Sequence, residues 1–384
     1  MPPPSAKPPQ ITLRFPPSAV ALSGSLSAVV MVGDDLWVGA DEGVEIARLE
    51  PDGRDTYAAQ ETANLGDYLE LPADATEEAD IEGVDWEPRD TATGYLWLVG
   101  SHSLKREAAR ALLKKENPDD PDERRSDGKN LRDLEKRPAA DGNRFLLARL
   151  PVEIRSGRSR LIPRAEWSKE VFGAQLPCSK TTSDLLDALR DDPLLGRFVV
   201  AELPGKENGL DIEGLACIED GRLLIGLRGP MPRGMAVVLE VKVEPVFAGK
   251  GKTGGLKLKE LGPDGRPYLR HFLDLGGLAV RDLVFRGNDL LILAGPTMPM
   301  DFPATVFAWR DARPLLGGSE RFAWRRWDEL QIVAQGPPPG APDHDRAEGI
   351  LLLGDASLVV IYDSPSDSRR PGNSTDILGD LLAL

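Results

Sequence analysis

Three carboxylates recur in one sequence context along this chain. Asp80-Ile81-Glu82-Gly83-Val84, Asp211-Ile212-Glu213-Gly214-Leu215 and Arg346-Ala347-Glu348-Gly349-Ile350 each set a glutamate before a glycine and ahead of an apolar run. Carboxylates gathered in one place repel one another unless a cation or an arginine stands between them. All-oxygen donors suit a hard cation such as Ca²⁺ or Mg²⁺. Glu82, Glu213 and Glu348 are therefore candidate metal ligands. A plainer reading stands beside this one. D-x-E-G can be a turn and strand-start device, with the Asp capping a loop and the Glu bonding backbone N–H groups.

The elements that must position these residues are hairpins. Each copy reads as Glu-Gly, a short strand, a turn and a second apolar strand such as Leu223-Leu224-Ile225 or Leu358-Val359-Val360-Ile361. Two degenerate copies share the phase, with Ser27 and Arg281 in place of the glutamate. The in-phase positions 27, 82, 213, 281 and 348 are spaced by 55, 131, 68 and 67 residues. A third strand follows each hairpin, at 44–49, 144–150, 235–243, 304–309 and 377–382. Two insertions account for the long spacing. Residues 105–137 carry 11 basic and 9 acidic side chains, and residues 181–195 carry leucines at helical spacing. The repeat predicts an all-β fold, a single β-propeller of five blades over 10–384, with six blades as the alternative. Residues 1–9, rich in Pro, are expected to be a flexible arm, and 10–15 would close the ring as an outer strand.

In such a ring the first strand of each blade lines the channel, so Glu82, Glu213 and Glu348 would share one level with Arg281. The ends of the second strands bring Asp41, Ser101, Arg228, Gly295 and Asp363 to the same mouth. His102 and Arg106 follow in GSHSLKR, and His344 lies four residues before Glu348. This set suits a small anionic ligand held with a cation. His102 is the candidate for proton transfer, with Glu213 beside it in the catalytic set. Arg106, Arg228, Arg281, Asp41 and Asp363 are candidate substrate contacts. The charged insertion could cover the mouth.

Composition narrows the remaining classes. Lys+Arg is 47 against Asp+Glu 62, a net charge of −15, which disfavours nucleic acid. No apolar run is long enough to span a membrane. Two cysteines cannot build a disulfide framework, and the start MPPPSAKPPQ lacks a secretory pattern; a cytoplasmic location is expected. Cys217 reads as a core residue. No Walker A, G-x-G-x-x-G, H-E-x-x-H or G-x-S-x-G motif occurs, so no nucleotide, flavin or haem is expected. Gly 39 and Pro 33 signal many turns.

Asp80–Trp86, YLWLVGSHSLKR at 95–106, DIEGLA at 211–216, LLIGLRGP at 223–230 and Arg346–Ile350 resemble a bacterial family of unknown function, DUF3616. That resemblance spans about residues 25 to 365 and implies no established activity. The D-x-E-G pattern is also similar to esterase-like phytase propellers. This similarity covers short motifs only and implies phosphoester hydrolysis with a divalent cation. Two functions follow as expectations: a metal-assisted hydrolase of a small anionic ester, phosphoester or lactone, or a non-catalytic module that binds a protein partner or small ligand.

Overall fold

A computed structural model describes residues 8–74, 77–105, 127–298, 300–373 and 375–384. The chain starts with β1 (Gln10–Arg14) and a short helix α1 (Val20–Gly24). An antiparallel run follows of β2 (Leu26–Val32), β3 (Asp35–Ala40), β4 (Glu45–Pro51) and β5 (Thr56–Asn64). The second unit pairs β6 (Ile81–Pro88), β7 (Thr93–Gly100) and β8 (Leu147–Arg155). Helix α2 (Asp127–Leu134) lies between β7 and β8 in the chain. The short β9 (Arg158–Leu161) and β10 (Ala174–Gln175) flank β8. Two helices come next, α3 (Asp184–Arg190) and α4 (Gly196–Val200). Ser183 caps α3, its Oγ accepting from Leu186 N.

The third unit is β11 (Asp211–Cys217), β12 (Arg222–Gly229) and β13 (Ala236–Val246), with β14 (Gly254–Leu258) and β15 (Tyr268–Leu273) both on β13. The fourth unit begins with β16 (Ala279–Arg286), β17 (Asp289–Gly295) and β18 (Thr305–Trp309). After β19 (Arg321–Ala323), which runs parallel to β15, comes β20 (Leu330–Gln335) on β18. The last hairpin is β21 (Arg346–Leu353) and β22 (Ser357–Asp363), followed by β23 (Ile377–Ala383). The fold is mostly β. No helix among the described residues is long and apolar enough to cross a membrane.

The first strands of the hairpins pack side by side. β2 lies against β6, β6 against β11, β11 against β16, β16 against β21, and β21 against β2. Second strands are buried on both faces, which is why they read as unbroken apolar runs: Leu223–Ile225 and Leu290–Leu293 are fully buried. Glycine permits the close approach of neighbouring first strands. A Cβ on Gly83 would stand 2.7 Å from Leu215 Cβ, and one on Gly214 3.2 Å from Asp282 Cα. Buried side chains stitch the same strands. Ser27 Oγ donates to Ile81 O, Asp85 accepts from Cys217 N at 2.6 Å, and Asp282 accepts from Ile350 N at 2.8 Å.

The chain ends meet in one sheet. β1 pairs antiparallel with β23, Ile11 opposite Gly379, and parallel with β5, Thr12 opposite Thr56. Ile11 and Leu13 are buried there, while Arg14 is half exposed. Leu13→Ala should therefore cost about 2–5 kcal/mol in urea denaturation. Arg14→Ala should cost about 1 kcal/mol or less. Equal costs would deny that packing of β1 holds the ends together.

Candidate functional site

Each first strand carries an irregularity at its second or third residue. The register shifts at Ser27, Glu82, Glu213, Arg281 and Glu348, each of which has no partner opposite it on the second strand. A β-bulge re-aims the extra side chain. The in-phase residues of the repeat are thus the bulged ones, and all five are buried.

Their charges pair across units. Glu213 accepts from two guanidiniums, Arg228 Nη1 at 2.6 Å and Arg281 Nη1 at 2.8 Å. Arg281 also reaches Glu348 Oε1 at 3.1 Å and Pro296 O at 2.8 Å. Arg228 donates twice to Thr297 O. Arg144 binds Asp80 at 2.8 Å and Glu78 at 3.1 Å, and Lys105 binds Glu78 at 2.6 Å. Arg346 holds Asp363 at 2.6 Å.

Two carboxylates are left over. Asp41 Oδ1 is buried without a partner, and no described donor reaches Glu82. Burial raises the Glu82 carboxyl well above its usual range, helped by Asp80, Glu213, Glu348 and Asp41. Burial, with Asp363 and Glu348 nearby, pushes Asp41 up to about 9. Glu348 is pushed up to about 8 by burial, then by Asp363 and Glu213, against the opposing pull of Arg281. Burial brings Asp211 to about 7 although Arg228 opposes it.

These groups line a cavity of about 610 Å³. Asp41, Glu82, Arg228, Arg281, Glu348 and Asp363 border it, so six of the sequence-derived candidates converge. Glu213 does not border it but accepts from two arginines that do. Arg106 falls outside the described residues, as does most of the charged insertion. His102 does not border the cavity. Its ring is buried edge-on against Phe145, Nδ1 lies 3.0 Å from Gly100 O, and Nε2 has no partner. Burial lowers its pKa to about 4, so the imidazole is neutral at pH 7. His344 borders the cavity from an exposed loop.

Sequence reasoning passed over Asp80 and Asp211 as site residues, although both belong to D-x-E-G. It also passed over Glu78, Arg144, Arg346 and Lys206. Lys206 is exposed at the rim, with no carboxylate partner among the described residues. Only the motif itself signalled Asp80 and Asp211; nothing local marked Lys206.

Among the described residues no group of three or more His, Cys, Asp or Glu side chains is arranged to hold a metal ion. The donor set still suits a hard cation: it is all oxygen, and the unpartnered Asp41 Oδ1 and Glu82 are free to ligate.

Asp41 also carries a pH dependence. Its folded pKa near 9 lies above the ordinary 3.8. Its stabilising contribution is then complete below pH 4 and lost as pH rises through 9. In chelator, the wild-type melting temperature should fall from pH 5 to 9. Asp41→Asn, which cannot ionise, should lose less melting temperature than wild type between pH 5 and pH 9. Parallel decline of both proteins would show that Asp41 is not the titrating group.

No curated protein gives a sequence match. Among solved structures the chain is similar to a GH43 endo-arabinanase from Bacillus licheniformis, at 12% identity over 92% of each chain with a TM-score of 0.37. It is similar to a hypothetical protein from Leishmania major at 10% identity, over 99% of this chain and 90% of that one, with a TM-score of 0.37. The allergen Mala s 1 of Malassezia sympodialis matches at 10% identity, over 98% and 96%, with a TM-score of 0.38. The family described as "Protein of unknown function (DUF3616)" matches residues 25–380, nearly the whole chain, and the chain belongs to it.

Proposed function

We propose that the chain is a five-bladed β-propeller whose channel mouth binds a divalent cation together with a small anionic ester and hydrolyses that ester. The cyclic packing of β2, β6, β11, β16 and β21 supports the ring and its blade number. The observation that carries the function is the surplus of buried carboxylate at the mouth, with Asp41 Oδ1 and Glu82 unpartnered beside paired arginines.

Asp41, Glu82 and the second oxygen of Glu348 would hold the cation. When bound, a Ca²⁺ or Mg²⁺ ion supplies Lewis acidity toward an ester oxygen or a water. Glu213 fixes Arg228 and Arg281, both of which border the cavity. Lys206 meets the incoming anion at the rim. Asp211 borders the cavity with a carboxyl near neutrality, which suits it to take and return a proton. This role replaces that of His102, whose buried ring does not border the cavity. The two free cysteines suit a reducing compartment such as the cytoplasm.

A second reading, a non-catalytic module with a protein partner, draws on one observation. Phe322 and Trp327 are 55% and 65% exposed and continue an aromatic ladder through Trp324.

Thermal melts in Ca²⁺, Mg²⁺ and chelator test the cation. Wild type should gain several degrees with metal, and Glu82→Gln should lose that gain. A panel of phosphomonoesters and lactones tests turnover. Asp211→Asn should lower kcat by about 10²–10⁴ with a smaller change in KM. Metal-dependent stabilisation without turnover of any panel member would favour the non-catalytic module. No metal effect would remove the proposal.

A further inference from the structure

The other ends of the same inner strands enclose a second cavity, of about 660 Å³. It lies where the β6–β7 and β11–β12 turns face each other. Glu87 on its wall is roughly 16 Å along β6 from Glu82 at the mouth. Its walls include Trp86, Tyr95, Trp97, Arg89, Arg149 and Arg313.

Arg149 is the residue that needs explaining. It sits on β8, 7% exposed, and makes no ion pair and no side-chain hydrogen bond among the described residues. Its Nε is buried and unpartnered. The guanidinium lies over the Tyr95 ring at 3.7 Å, with Phe172 at 5.3 Å and Trp97 at 6.0 Å. Aromatic faces attract a cation but accept little from its in-plane N–H groups. Burial holds its pKa below the ordinary arginine value. A buried charge without a counterion is costly unless something completes it.

No carboxylate pairs with it directly; Glu87 attracts it only at a distance. Glu87, the acid on the same wall, is committed: Trp97 Nε1 donates to it at 2.7 Å and Gly221 N at 3.2 Å. Glu219 and Asp220 also border the cavity, but they are exposed on the turn and make no ion pair with its arginines among the described residues. The other two arginines also lack carboxylate partners. Arg89 donates to Glu170 O at 2.7 Å. Arg313 donates to Gly287 O and Ile218 O and stacks on Phe285. Three guanidiniums thus border one cavity with their charges unopposed by direct pairing.

We propose that this cavity is a binding site for a small organic anion, whose carboxylate or phosphate group pairs with Arg149. The planar guanidinium, backed by Tyr95, presents its edge for two parallel N–H···O bonds. Arg89 and Arg313 supply long-range attraction from the rim. Trp86 and Tyr95 offer apolar wall to the body of the ligand. The site is independent of the channel mouth and needs no cation.

Isothermal titration in chelator tests it, with inorganic phosphate and benzoate as probes and tryptophan fluorescence of Trp86 and Trp97 as a second readout. Wild type should bind at least one probe at millimolar concentration or tighter, and the tighter probe identifies the headgroup. Arg149→Met should weaken that binding about tenfold or more. Without ligand, that variant should melt at or above the wild-type temperature, since it removes an uncompensated charge. Arg149→Lys keeps the charge and loses the fork, so it should also bind more weakly; it serves if the Met variant fails to fold. Glu82→Gln, at the other cavity, should bind as wild type does. Binding by neither probe would overturn the proposal, as would equal affinity in wild type and the Arg149 variants.

Discussion

Glu213 receives two arginines from different strands, and the rest of the site depends on that bond pair. Arg228 comes from its own hairpin and Arg281 from the next unit. Arg281 then reaches Glu348, a further unit along. One buried chain of charge therefore spans three first strands. Buried ion pairs add little net stability, because desolvation offsets the attraction. Removing a single partner is severe, because it leaves a bare charge. The chain thus acts less as glue than as a register device: each first strand must present its bulge at one depth for the charges to meet.

The same depth restriction creates the imbalance at the mouth. Five bulges at one level concentrate side chains of whatever type occupies the repeat position. Here three are glutamates, one is arginine and one is Ser27. Neighbouring loops add more acid than base. Arg144 and Arg346 neutralise Asp80 and Asp363, yet Asp41 and Glu82 find no cation in the protein. Such groups hold protons or a bound cation; they do not sit ionised and alone. The opposite end shows the mirror case, with Arg149 buried and short of an anion. At both ends a buried charged group lacks a direct ion pair, and both ends open into a cavity.

Much of the strand order was legible. The alternation after each Glu-Gly and the runs at Leu223 and Leu358 mark first and second strands, and third strands follow at readable intervals. The outer strands were not legible. β5 carries only Ala58 and Ala63 as buried residues among Gln, Glu and Thr, β10 has two residues, and β14 is Gly-Gly-Leu-Lys-Leu. Each is nonetheless paired on both sides, and such strands take their structure from pairing with neighbours more than from their own pattern. His102 misled for a similar reason. Its loop is polar, but its φ of 52° turns the ring inward onto Phe145.

The amino-acid sequence by itself determined the phase of the hairpins, because the alternation of a strand and the turn that ends it are local demands, and it carried the repeated Glu-Gly that marks each bulge. Tertiary structure alone decided which carboxylates are neutralised. Arg281 answers Glu213 from 68 residues away, while Asp41 Oδ1 and Arg149 Nε find no hydrogen-bond partner within the described chain. Charge pairing follows distance through space and the loss of water, and neither is written in the spacing of residues along the chain.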